Sequence, residues 1–487
     1  MTEHSSEAQM RLQKLQLFRD QGIDPYPYNY NKTHAVSMIL KDNAHLEVDQ
    51  TASTSICTAG RIIAKRGHGK ATFGNIQDTS GTLQYYANVN SLAQEKYDLL
   101  LHLDIGDIIG LKGKPFRTHR GELSLFVEDF ELLSKSLLPL PEKYHGLQDK
   151  ELRYRQRYVD LIANSEVKDT FSKRSLILQK IREFLFGKGF MEVETPVLHA
   201  IYGGAAARPF TTHHNELEQD LFLRIALELH LKRLIVGGYE RVFEIGRVFR
   251  NEGISYKHNP EYTLLELYQA YADYEDIMAL TEELVSSLIY QICGSFEIEY
   301  QGVNLNFKPP FKRLSLDNAL KEYAGVNGES DIETLRKKAH DLGLDVSQKP
   351  LRGQLINYLY DKAVEPHLKQ PVFIIDYPWE TSPLAKRKRN NPQLVERFEL
   401  IVNSMEIANA FSELNDPLDQ EARFAEQREA KAHGDDEAQE TDDDFVNALK
   451  YGMPPTGGLG IGVDRLVMLI TNAASIRDVI FFPHMRT

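Results

Sequence analysis

The stretch Arg247-Val-Phe-Arg250-Asn-Glu252, followed by His258-Asn-Pro-Glu-Tyr262 and Thr263-Leu-Leu-Glu266-Leu-Tyr268, reads as a strand, a loop and a return strand. Side chains two apart on a strand share a face, so Arg250 and Glu252 are expected to emerge together, as are Glu266 and Tyr268. A surface ion-pair ladder gives the same pattern and is worth little. A second stretch weighs against that alternative. In Glu406-Ile-Ala-Asn409-Ala-Phe411-Ser-Glu413, an amide, a ring and a carboxylate at 409, 411 and 413 line up on one face, and Glu399 one strand earlier adds another acid. Gly457-Gly-Leu-Gly460-Ile-Gly462-Val-Asp464-Arg465 then runs from a glycine-rich strand into a helix with Arg465 in its first turn. A cation there opposes the helix dipole, so an anionic ligand is its better partner.

Outward from these stretches, helices at Ser172–Lys188 and Ala226–Gly237 precede several long strands joined as hairpins. That order predicts a mixed, mostly antiparallel sheet flanked by helices, not a doubly wound parallel one. Neither GxxxxGK[ST] nor GxGxxG after a strand occurs, so any nucleotide is gripped by side chains. Near the N-terminus, Gln9–Gln21 reads as an amphipathic helix with Leu12, Leu15 and Phe18 on one face. Five strands follow, Ile56–Ala64, Ala71–Gln77, Thr82–Val89, Ile108–Gly113 and Leu123–Leu133, with a helix at Ser91–Leu103 between the third and fourth. This is the pattern of an OB-fold barrel, which binds single-stranded nucleic acid by stacking and positive charge. Arg61, Lys65, Arg66, His68 and Lys70 beside Phe73 and Gln84 favour that role over a purely structural barrel.

The 487 residues exceed the ~250–300 that one core serves. The expected division is a helical extension at 1–50, a barrel at 51–140, a linker at 141–160 and a larger α+β domain at 161–487, with the basic, tyrosine-rich Arg153–Tyr158 leading into that second domain. With 42% hydrophobic and 26% charged residues, the chain is neither disordered nor collagenous. Its 70 acidic and 57 basic residues give a net charge of −13, so a nucleic-acid partner requires a local basic patch. Cys57 and Cys293 cannot build a disulfide framework. Without a long apolar run or a signal-peptide core, no membrane association is expected, and a cytoplasmic location is. Adjacent His213 and His214 point to opposite faces of an extended segment, which argues against a metal pair. The acidic stretch Gly434–Asp444 reads as a solvated loop.

From Gly22 to Arg486 the chain resembles the class II aminoacyl-tRNA synthetases, and within subclass IIb the lysyl-tRNA synthetases. Phe190-Met-Glu192-Val-Glu194-Thr195-Pro196 is similar to motif one, Phe249-Arg250-Asn251-Glu252 with its loop to motif two, and Gly460-Ile-Gly462-Val-Asp464-Arg465 to motif three. The resemblance implies an N-terminal OB-fold anticodon reader followed by a class II catalytic domain. It also implies a homodimer built on motif one, and ATP, magnesium, L-lysine and tRNA(Lys) as cofactors and partners.

Residue by residue, the same resemblance makes Arg250 and Arg465 catalytic. Arg250 bridges the ATP α-phosphate and the substrate carboxylate, Glu252 contacts adenine, Asn259 the phosphate loop, and Tyr262 stacks on adenine. His258 and Arg465 hold the β/γ-phosphates, and Glu399 and Glu406 hold magnesium. Glu406 differs in parity from Asn409, so that role requires a bulge or turn between them. Glu266, Glu413 and Tyr268 surround the ε-ammonium, Glu228 and the Gly204 carbonyl take the α-amino group, and Asn409 and Phe411 complete the wall. Gly203-Gly-Ala-Ala-Ala207 is either a lid or a tightly packed loop. In the barrel, Phe73 lies under an anticodon base, with Arg61 and Gln84 on its neighbours. The rivals are a lysine ligase acting on a protein and a non-catalytic tRNA-binding paralogue.

Overall fold

The computed structural model describes residues 3–141, 147–346, 351–432 and 441–486. The chain forms two compact units, Met1–Gln148 and Asp149–Thr487. In the first, β1 (Ile56–His68), β2 (Ala71–Gln77), β3 (Thr82–Asn88), β4 (Ile108–Arg117) and β5 (Leu123–Ser134) close a barrel in the order β1-β2-β3-β5-β4. Strict alternation on β2 turns Thr72, Gly74 and Ile76 inward and leaves Phe73 and Asn75 half-exposed outside. Gly74 is required: a Cβ there would collide with the Tyr85 ring that fills the barrel. Phe18, Val36 and Ile39 from the helical N-terminal segment pack into the same core as Ile62, Ile109 and Leu125, so this segment belongs to the barrel unit. The helix expected at Ser91–Leu103 is two, Val89–Leu92 and Gln94–Leu101, separated at Ala93 by a backbone φ of 60°.

The second unit opens with short helices at Lys150–Arg155 and Arg157–Ala163, so the basic stretch Arg153–Tyr158 is helical. Its main sheet contains β6 (Met191–Glu192), β7 (Arg241–Phe249), β8 (Glu261–Ala270), β9 (Lys312–Ser315), β10 (Val372–Pro378), β11 (Asn391–Val402), β12 (Met405–Ser412) and β13 (Thr456–Gly462). The spatial order is β9-β10-β11-β12-β13-β8-β7-β6, and only the outermost pairs β9/β10 and β6/β7 are parallel. Long helices Ser165–Gly187, Tyr274–Cys293 and Val463–Thr471 bury one face through Ile177, Ile181, Leu284, Leu288 and Leu466 against Leu265, Leu267, Leu400, Leu459 and Ile461. Leu265 and Leu267 therefore point into the core, and the period of two sends Leu264, Glu266 and Tyr268 to the opposite face, where the cavity lies. Of the acidic stretch Gly434–Asp444, residues 434–440 lie outside the described residues. Its end is not a solvated loop: Asp442 caps the helix Asp443–Lys450 and pairs with Arg233. Among the described residues no helix is long and apolar enough to cross a membrane.

Candidate active site

A cavity of about 350 Å³ opens on the sheet face opposite those long helices, beside the helix Glu228–Val236 that packs on the same face. Three strands build its floor in register: Glu266 lies opposite Gly460 and Asn409, and Tyr268 opposite Gly458 and Phe411. The glycines of β13 thus separate the functional side chains of β8 and β12. At Gly458 a Cβ would strike both Glu413 Oε1 and the Tyr268 ring, so only glycine leaves room for the pocket. Gly204, at φ +85°, passes close to the start of the helix Glu228–Val236, where a Cβ would stand 3.1 Å from those of Ala226 and Glu228.

The cavity is lined by Gly204, Glu228, Arg250, Glu252, His258, Asn259, Tyr262, Glu266, Tyr268, Glu406, Asn409, Phe411, Glu413 and Arg465. Of the sequence-predicted residues in this unit, only Glu399 stands off the lining. One route to the cavity differs from expectation. β7 ends at Phe249, so Arg250 and Glu252 do not share a strand face. The loop delivers them instead: the Arg250 amide donates to the Pro260 carbonyl at 2.8 Å and the Asn251 amide to the Arg208 carbonyl at 2.8 Å. The Arg250 guanidinium lies 5.5 Å from the Tyr262 ring centroid.

The two ends of the cavity carry opposite charge. At the anionic end Glu228, Glu266 and Glu413 are all buried, and Tyr268 donates to Glu266 at 3.3 Å. Burial, reinforced by Glu228, pushes the Glu266 carboxyl up to about 8. Glu413 is raised well above the ordinary carboxylate range, chiefly by burial, and its Oε1 has no hydrogen-bond partner. At the cationic end Arg465 donates to the Glu406 carbonyl at 2.8 Å and approaches Glu406 Oε2 at 3.3 Å. His258 sits against Ser255 Oγ at 2.8 Å. Burial, with Arg465 and Lys257 nearby, pushes its imidazole down to about 4, so it is neutral at pH 7. Asn259 donates to the Glu261 carbonyl at 2.6 Å, while its buried Oδ1 has no partner.

A β-bulge resolves the parity of Glu406. Leu400 pairs with Ala408 but Ile401 with Glu406, which leaves Ile407 as the extra residue and returns Glu406 to the face of Asn409. Glu399, opposite Asn409, is held at 2.5 Å by Arg397, whose Nε also donates to Asn409 Oδ1 at 3.0 Å. Its carboxyl is pushed up to about 7, mainly by burial. Among the described residues no group of three or more His, Cys, Asp or Glu is set to hold a metal. His213 and His214 lie on an exposed strand, with His213 paired to Asp220 at 2.8 Å.

Two cations beside the acids escaped the sequence reading. Lys232 lies fully buried one turn beyond Glu228 and pairs with both Glu228 and Glu413. Its signal was the i,i+4 spacing from an acid on a largely apolar helix. Arg397, two residues before Glu399 on β11, is the other; the period of two that placed Asn409 and Phe411 together also puts Arg397 beside Glu399.

On the barrel, Phe73 packs against Tyr86 with the rings tilted by 43° and their centroids 4.7 Å apart, and Phe116 and Phe126 stand 6.1 and 5.9 Å from Tyr86. Gln84 accepts from Ser124 at 2.9 Å in the adjacent row. Arg61 donates to the Gly106 carbonyl at 2.7 Å. Lys65 is not a free nucleic-acid contact: its ammonium donates to the carbonyls of Leu100, Leu101 and Leu103. Burial pulls its pKa down to about 8.

The family described as tRNA synthetases class II (D, K and N) matches residues 149–486, and the family described as OB-fold nucleic acid binding domain matches residues 56–133. A lysine–tRNA ligase of Carboxydothermus hydrogenoformans is 56% identical over 479 residues, covering 98% of this chain and 97% of the relative. One from Pelotomaculum thermopropionicum is 53% identical over 483 residues, 98% and 94%. One from Bacillus cereus is 50% identical over 481 residues, 98% and 96%. With the barrel, the antiparallel sheet and the charge-divided cavity in that order along one chain, the protein belongs to the class II tRNA synthetases of the D, K and N group, whose substrates are ATP, an amino acid and tRNA.

Proposed function

We propose that this chain is a lysine–tRNA ligase, activating L-lysine with ATP and transferring it to the 3′ end of tRNA(Lys). The observation that carries the choice of amino acid is the cluster of buried Glu228, Glu266 and Glu413 around Tyr268 at one end of the cavity. A buried ammonium must be paired, and unpaired acids in a dry site are costly, so the cluster welcomes a cationic side chain. An aspartate side chain would be repelled. Asparagine would leave the acids without a charge partner, and a site built to bond a polar group rejects an analogue lacking it by on the order of 10⁴-fold. The names of the relatives agree with this reading.

In this reading Glu228 and the Gly204 carbonyl take the α-ammonium, Glu413 and Glu266 the ε-ammonium, and Asn409 and Phe411 the stem between them. Arg250 neutralises the lysine carboxylate and the ATP α-phosphate together, and Tyr262 and Glu252 receive the adenine. The carboxylate oxygen attacks the α-phosphorus in line, the bond to the bridging oxygen breaks, and pyrophosphate leaves toward Arg465 and His258. The tRNA 3′-terminal hydroxyl then attacks the adenylate carbonyl and AMP departs. Positioning and charge suffice, and no side chain need act as a general base. Glu399 and Glu406 would hold magnesium, their hard carboxylate oxygens suiting that ion, which would supply charge neutralisation of the triphosphate.

On the barrel the aromatic row of Phe73 and Tyr86, flanked by Gln84 and Arg61, suits stacking of anticodon bases. Exposed Phe186, Met191 and Leu198 around motif one are apolar surface suited to a homodimer. A cytoplasmic location belongs to the same reading. Lysine-dependent exchange of labelled pyrophosphate into ATP, run against aspartate, asparagine and arginine, tests the proposal. Lysine alone should support exchange, and charging of tRNA(Lys) should follow. Exchange with another amino acid, or none, would refute it.

A further inference from the structure

Behind the anionic end of the cavity lies a cation that the reaction just described does not use. Lys232 is completely buried, and its ammonium is shared between two carboxylates: it donates to Glu228 Oε1 at 2.5 Å and contacts Glu413 Oε2. The rings of Tyr268, Phe411 and Phe445 surround it, with centroids 5.9, 5.5 and 5.9 Å away. Each carboxylate is therefore anchored by one oxygen and presents the other elsewhere. Glu413 Oε1 has no hydrogen-bond partner, and Glu228 Oε2 turns toward Gly204, where a Cβ would stand 3.8 Å from it.

The two acids come from distant parts of the chain, one opening the helix Glu228–Val236 and the other following β12. Among the described residues Lys232 is the cation paired with both, so their spacing depends on it. The charges agree with this role. Glu266 holds a proton in the empty site, and the two ammonium groups of a diamino acid would draw it into its charged form beside Glu228 and Glu413.

We propose that Lys232 is a positioning residue that clamps Glu228 and Glu413 at one separation and thereby sets the length of diamino acid accepted, favouring lysine over ornithine, its homologue one methylene shorter. The inference rests on the lysine-site reading above. Freed of the clamp, the two carboxylates can follow a shorter diamine, whose second ammonium otherwise falls short of Glu413.

The test uses full-length protein, with Lys232→Met filling the volume without charge and Lys232→Gln retaining a hydrogen-bond donor. Pyrophosphate exchange is measured with lysine and with ornithine. The ratio of their kcat/KM values should fall by about tenfold or more in Lys232→Met, the scale of discrimination one methylene provides, while the KM for ATP holds steady. Lys232→Gln should fall between that variant and the wild type. A purely structural role would lower both kcat/KM values together. An unchanged ratio in a folded variant overturns the clamp, as does failure of both variants to fold, which would make Lys232 a structural ion. Absence of lysine-dependent exchange in the wild type would instead remove the reading of the site itself.

Discussion

Glu413→Gln separates charge from shape at the anionic end of the cavity. Glu413 is 2% exposed, its Oε2 lies against the Lys232 ammonium, and its Oε1 is a buried acceptor with no partner. Glutamine keeps the volume and one acceptor oxygen but withdraws the negative charge from the expected ε-ammonium. Truncating one member of a buried, hydrogen-bonded charge pair costs about 2–5 kcal/mol. Because the amide oxygen still accepts, the lower end applies, and lysine Kd should rise about 30-fold. Lys232 retains Glu228 at 2.5 Å, and burial already holds the Glu413 carboxyl well above its usual range, so Tm should change little. Of the groups assigned to the triphosphate, Arg465 pairs with Glu406 and His258 with Ser255, while Glu413 pairs with Lys232, so ATP Kd should hold. Calorimetric titration with lysine and with ATP, beside a thermal melt, reads all three quantities. An unchanged lysine Kd in a folded variant would refute the pocket assignment, and parallel loss of ATP affinity would point to general distortion.

Four further outcomes are expected. Arg250→Ala should abolish lysine-dependent exchange while leaving Tm and oligomeric state intact in melting and sedimentation experiments; a melted variant would mark this arginine as structural. Gly458→Ala should block lysine binding in calorimetry, since its methyl would strike Glu413 Oε1 and the Tyr268 ring, and normal lysine affinity would contradict the described floor. Glu266 holds a proton in the folded protein up to about pH 8 that the unfolded chain releases near its ordinary value of 4.5. Its stabilising contribution is thus full below that value and lost as pH rises toward 8, so Tm of the ligand-free protein should fall over that window more steeply than in Glu266→Gln; equal slopes would refute the assignment. Phe73→Ala should weaken the KM for tRNA by the equivalent of about 1–3 kcal/mol, the value of one stacked base, without altering pyrophosphate exchange, and unchanged charging kinetics would remove Phe73 from the interface.

The parts of the site legible in the sequence are those carried by a regular backbone. On β8 the period of two holds without interruption, so Glu266 and Tyr268 on one face and Leu265 and Leu267 on the other follow from spacing alone. On β12 the same rule makes Glu406 fail, and that failure locates the irregularity: the extra residue is Ile407. Where the strand stops at Phe249 the period loses its meaning, and Arg250 and Glu252 reach the cavity through loop hydrogen bonds that spacing does not encode. Lys65 misleads in the opposite direction, because a basic residue on a barrel strand looks the same in sequence whether it meets phosphate or the end carbonyls of a helix. Lys232 belongs to another category. One of its partners lies one turn away, but the other, Glu413, comes from a strand end far along the chain, and only tertiary structure brings them together. Yet the cost of unpaired buried charge leaves a trace of it. Acids gathered in one dry pocket are neutralised by a proton, as at Glu266, or by a resident cation, and the lysine spaced i,i+4 from Glu228 is the residue that supplies that cation to Glu228 and Glu413.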